Sequence, residues 1–100
     1  MIVFVSDSSI ELRQPDDFKG FHVEAADGLD VGRLLAAGSA GGPADGADVY
    51  VSIDWLRGAA STLGVGADWP DQLAGMVTYA GSKGWLDEAG GAIRAHIERV

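Results

Sequence analysis

Between Asp54 and Arg99 the chain spells out helix, helix and hairpin in capping and periodicity signals, and that order leaves few folds open. Asp54 opens one helix, in which Leu56, Ala59, Ala60 and Leu63 fall at helical spacing with Trp55 beside them. Asp68 with Pro70 opens the next, where Leu73, Met76, Val77 and Ala80 form an i, i+3, i+4, i+7 stripe. Lys83-Gly84 closes it, and Asp87-Glu88-Ala89-Gly90-Gly91 reads as a tight turn. The tail from Ala92 to Arg99 fits two templates. Ile93, Ala95 and Ile97 alternate as a strand does, while Ile93, His96, Ile97 and Val100 match a helix. Gly90-Gly91 makes a poor helix start and a good hairpin turn, so the strand is preferred.

The first half reads as strands with one short helix. Ile2 to Val5 is a β-branched and aromatic run that fits a buried strand, and Ile10 with Leu12 fits a brief second one. Phe21, Val23 and Ala25 alternate with His22, Glu24 and Ala26, the period of a half-buried strand. Asp30 caps a helix through Ala37, with Val31, Leu34 and Leu35 on its apolar face and Gly38 at its end. Residues 38–46 read as a flexible Gly-rich connector, and Asp48 to Ile53 as a strand with Val49, Val51 and Ile53 on one face. These elements predict one α+β domain over residues 1–100: a small, mostly antiparallel sheet with about three helices.

Composition supports a folded chain and restricts its partners. Hydrophobic residues make up 47% of it, so the net charge of −8 does not imply disorder. No run approaches the roughly 20 apolar residues that span a bilayer, and Met1 to Val5 is too short for a signal core, so a cytoplasmic location is expected. The Ala, Gly and Asp bias fits GC-rich bacterial coding. There is no Cys, which excludes disulfides and thiolate ligands. Nine acidic and three basic residues precede Asp54, and six and four follow from there. Such a surface repels phosphate backbones and anionic membranes and attracts basic proteins, although acidic surfaces also serve plain solubility.

The order helix, strand, helix, helix, strand, strand from Asp30 to Arg99 resembles a winged helix. That resemblance implies a recognition helix over Trp69–Lys83, with Asp71, Gln72, Gly75, Thr78, Tyr79 and Ser82 facing outward. The charges oppose nucleic-acid binding. Only Lys83 is cationic there, Asp68 and Asp71 would meet phosphates, and the wing would present Asp87 and Glu88.

Other chemistry is sparse. The connector at 38–46 is no phosphate loop, because it follows a helix, opens a strand and lacks the Lys. Arg94, His96 and Glu98 share a strand face and could supply an anion holder, a base and an orienting carboxylate, yet cross-strand charge pairing on an exposed face is the favoured account, because catalytic groups must converge from several elements. His22 and His96 fit no metal-ligand spacing. Ser6, Ser8 and Ser9 have no nucleophile elbow around them and read as turn residues. Trp55, Trp69 and Trp85 each stand at an element end, where an indole either seals the core edge or anchors an interface.

The expected function is a small acidic, non-catalytic interaction protein (an accessory, inhibitor or immunity-type module) that binds a protein partner, its charge favouring a basic one, or itself. Trp55, Trp69, Tyr79, Trp85, Arg94 and His96 are the expected contact residues, with no cofactor and no metal. The alternatives are a winged-helix-like regulator and a ligand binder or enzyme using the Arg94, His96 and Glu98 face.

Overall fold

The computed structural model describes residues 1–44 and 47–100. In chain order they form β1 (Ile2–Val5), β2 (Ile10–Arg13), β3 (His22–Ala25), α1 (Val31–Ala37), β4 (Gly41–Pro43), β5 (Asp48–Ser52), α2 (Ile53–Thr62), α3 (Trp69–Ser82) and β6 (Ala92–Arg99). The strands make a six-stranded curled sheet in the order β2-β1-β3-β6-β5-β4. β1 runs parallel to β3 and β3 parallel to β6, whereas β1–β2, β4–β5 and β5–β6 are antiparallel. The sheet is therefore mostly antiparallel and the fold α+β, as the sequence patterns require.

Register carries one apolar row across the strands. Leu12, Val3, Val23 and Ile97 lie abreast from β2 to β6, and Ala95 with Val49 and Ile93 with Val51 continue it into β5. All of these are buried, and α1, α2 and α3 add Val31, Leu35, Leu56, Ala60, Leu73 and Ala80 to the same core cluster. Alternation sends Arg13, Ile2, His22, Arg94, His96, Glu98, Asp48 and Tyr50 to the opposite face.

The strand at Ala92–Arg99 is present, but it does not form a wing. β6 lies in the middle of the sheet, between β3 and β5, and only the single bridge Leu86↔Ile93 represents the other arm of the expected hairpin. The turn is real: Asp87 Oδ1 accepts from the backbone N–H of Gly91 at 2.9 Å and of Ala92 at 3.2 Å. A strand with apolar residues at alternate positions buries more beside two neighbours than in an exposed ribbon, and the winged-helix likeness does not extend beyond element order.

Several local signals resolve differently from expectation. Ser52, not Asp54, caps α2 by accepting from Trp55 N–H at 3.2 Å, so Ile53 is helical, and Asp54 pairs with Arg57 at 3.1 Å on the surface. Asp68 precedes α3 without a side-chain capping bond, while Pro70 occupies the first turn as expected. Leu63 follows the last turn of α2 and is 53% exposed. Three residues of the supposed connector are edge strand: Gly41, Gly42 and Pro43 pair with Val51, Tyr50 and Val49. Its residues 45 and 46 lie outside the described residues. Proline is tolerated there because an edge strand has one side without a ladder.

Gly41 is required by that pairing. Its φ is +153°, and a Cβ on it would stand 2.0 Å from the Tyr50 carbonyl oxygen, whereas one on Gly42 would meet nothing within 4 Å. Gly41→Ala is therefore expected to cost roughly 1–3 kcal/mol by chemical denaturation, and Gly42→Ala about 0.5 kcal/mol or less. Equal effects would show that β4 does not pair as described.

Candidate functional site

The sheet is not closed along one edge of β6. Ile93 pairs with Val51 of β5 on one side, so Leu86, which bridges to Ile93, lies on the other, together with Trp85, whose carbonyl accepts from Arg94 N–H at 2.6 Å. Further along that same edge β3 takes over, pairing Val23, Glu24 and Ala25 with Ile97, Glu98 and Arg99. Ala95 and His96 fall between these two neighbours. A cleft of about 500 Å³ opens there, walled by Phe18, Phe21, Met76, Tyr79, Trp85 and Ile93, with Lys19, Asp48, Arg94 and His96 as its charged and polar members.

Three pieces of local structure set these walls. Trp69 donates from Nε1 to the Pro15 carbonyl at 2.8 Å and packs its ring 5.8 Å from Phe18, which ties the β2–β3 connection to the start of α3. α3 ends at Lys83, and Gly84 turns the chain back with φ +74°, a conformation glycine adopts at little cost. Trp85 then meets Tyr79, one helical turn back along α3, edge-on with ring centroids 5.9 Å apart, and the Lys83 ammonium sits 5.5 Å from the Tyr79 centroid.

Of the expected contact residues, Tyr79, Trp85, Arg94 and His96 meet at this cleft. Tyr79 is 56% and Trp85 43% exposed, which is unusual for side chains of that size in a small domain. Trp69 is only 3% exposed and acts as a core seal, and Trp55 lies elsewhere, half-buried in a shallow groove with Ile10, Leu34 and Ser6 to Ser9. Those serines are turn residues, with Ser6 Oγ accepting from the N–H of Ser8 and Ser9. The expected Arg94, His96 and Glu98 constellation is divided. Arg94 Nε donates to Asp48 Oδ2 at 3.0 Å, and His96 Nδ1 stands 3.8 Å from Asp48 Oδ1, beyond hydrogen-bond reach. Glu98 turns instead to His22.

That second cluster was not anticipated, although His22-x-Glu24 on one strand face was its visible half. Glu24 of β3 lies in register with Glu98 of β6, and two like charges side by side oppose strand pairing. His22 lies beside both. Its Nε2 is 2.8 Å from Glu24 and 3.2 Å from Glu98, while Nδ1 is 2.7 Å from the Gly20 carbonyl. A carbonyl and ionised carboxylates only accept, so these contacts favour the imidazolium form, which has a proton on each ring nitrogen. Burial pulls this imidazole down. The bonds to Glu24 and the Gly20 carbonyl, with the charges of Glu98 and Glu24, outweigh it, and the pKa is raised from the ordinary 6.5.

The chain has no likeness that assigns this site: comparison with protein-family models, curated proteins and solved structures returned no match. No group of three or more His, Cys, Asp or Glu among the described residues is arranged to hold a metal ion, and no described helix is long and apolar enough to cross a membrane.

A folded-state pKa above the unfolded one means that the His22 bridge stabilises fully below about pH 6.5 and is lost as pH rises through the raised value. The stability advantage of wild type over His22→Gln, by urea denaturation, is therefore expected to be largest on the acid side of that window and to shrink above it. An advantage that stays flat across the window, or grows with pH, would contradict the bridge.

Proposed function

We propose that the protein is a small acidic, non-catalytic interaction module of the cytoplasm that docks a protein partner around the Tyr79–Trp85 pair. The observation that carries this reading is that pair itself: two large aromatic side chains left about half exposed at the mouth of a cleft, braced against each other. Aromatic side chains lose little conformational entropy on binding and supply much of the energy of protein interfaces. Arg94 and His96 adjoin them, and Arg94 is a frequent residue type at interface centres.

Charge supports a basic partner on approach. The chain carries −8, with Asp16 and Asp17 just before Phe18 and Asp87 and Glu88 just after Leu86 in sequence, so acids bracket the cleft-lining segments. Two features weigh against catalysis. Asp48 is engaged by Arg94, and among the described residues no carboxylate lies within hydrogen-bond reach of His96 to orient it as a base. On the sheet face beyond the cleft, Arg13 pairs with Glu11 and His22 with Glu24 and Glu98, so its cations are taken up by the protein's own acids where a nucleic-acid reader would hold them out to phosphates.

The test is recovery of a crosslinked partner from host cells, comparing wild type with the double variant Tyr79→Ala, Trp85→Ala. Loss of the pair is expected to weaken the complex by about 2 kcal/mol or more. Leu63→Ala, which removes a similarly exposed apolar side chain at the end of α2, is expected to leave it intact. Equal recovery by wild type and the double variant would remove the cleft from the interface.

A further inference from the structure

We infer that the cleft beside β6 is itself a binding site for a small organic acid, a monoanionic carboxylate on an aromatic or branched apolar body. Its volume of about 500 Å³ lies in the range of small-molecule sites, and its walls are mainly the side chains of Phe18, Phe21, Met76, Tyr79 and Trp85. These walls suit the body of such a ligand. The charged members decide its head group.

In a chain with more than twice as many acids as bases, the described lining of this cleft carries Lys19, Arg94 and one carboxylate, Asp48. That carboxylate is already engaged, holding Arg94 Nε at 3.0 Å. An ammonium ligand would have to share that carboxylate with Arg94. The outer ring of Tyr79 is likewise approached by the chain's own cation, Lys83. A carboxylate meets the opposite situation. The Lys19 ammonium has no carboxylate within salt-bridge distance among the described residues, and the His96 ring makes no hydrogen bond among them, so both are available to an incoming anion. Charge-assisted bonds from these two groups would fix the head group while the apolar body displaces water from the aromatic wall. The acidic exterior disfavours ligands of higher charge, which restricts the class to monoanions.

This inference does not depend on the partner reading. The test uses the full chain, labelled with nitrogen-15, and three probes of one shape at pH 7: phenylpropionate, phenylpropanamide and phenylpropylamine. The acid is expected to shift the Trp85 indole N–H and the His96 ring saturably, and to bind about tenfold tighter than the amide or the amine. Lys19→Gln, an exposed change, is expected to erase most of that preference while leaving the amide's affinity unchanged. Amine binding as tight as the acid, an amide that matches it, or no saturable shift at Trp85 would each overturn the inference. Failure here with a Trp85-dependent protein complex intact would leave the partner reading standing. A clean titration with no such complex would do the reverse.

Discussion

The architecture depends on β6 serving two different partners at once. Along one edge its first five residues pair antiparallel with β5, and along the other its last three pair parallel with β3. Without it, β2-β1-β3 and β4-β5 would be two separate small sheets, and a two-stranded ribbon such as β4–β5 is only marginally stable in water. With it, the apolar row is continuous, and all three helices contribute buried side chains to the same core cluster. The same offset creates the cleft, because β3 and the Trp85–Leu86 segment reach β6 at different points and leave Ala95 and His96 between them. The candidate site thus follows from how the sheet is joined.

The face opposite the apolar row carries ionic rows. Those rows have partners. Glu11 meets Arg13, whose guanidinium lies 4.0 Å from the Phe4 ring centroid; Glu24 and Glu98 share His22; and Asp48 holds Arg94. Each surface pair is worth little by itself. The His22 bridge differs in kind, because it relieves a repulsion between two carboxylates in register on the parallel β3–β6 joint, the shortest ladder through which the two halves communicate.

Much of this was legible in the sequence. Val3 and Val5, Val23 and Ala25, and Val49 and Val51 announce strands by local alternation, and Asp30, Pro70 and Gly84 punctuate helices by local chemistry. Tyr79, Trp85, Arg94 and His96 could be singled out because large aromatic and polar groups at element ends need a reason. Their convergence with Phe18, Lys19 and Phe21 could not be read, since it depends on the β3–β6 register between residues far apart in the chain. β4 was missed because Gly-Gly-Pro has no periodicity; it becomes a strand only through pairing with β5 and the close approach of Gly32, whose added Cβ would stand 3.3 Å from Pro43. The winged-helix likeness failed for a related reason: element order is local, whereas β6's place in the sheet is not.

Native-state hydrogen exchange tests the central role of β6 most directly. If β6 joins both half-sheets into one cooperative unit, amides of Val23 in β3, Ile97 in β6 and Val51 in β5 will open with a common free energy equal to that of global unfolding. Exchange of the β4–β5 half at distinctly lower free energy, with β1–β3 still protected, would contradict that account and show two separately folding pieces that only touch at β6.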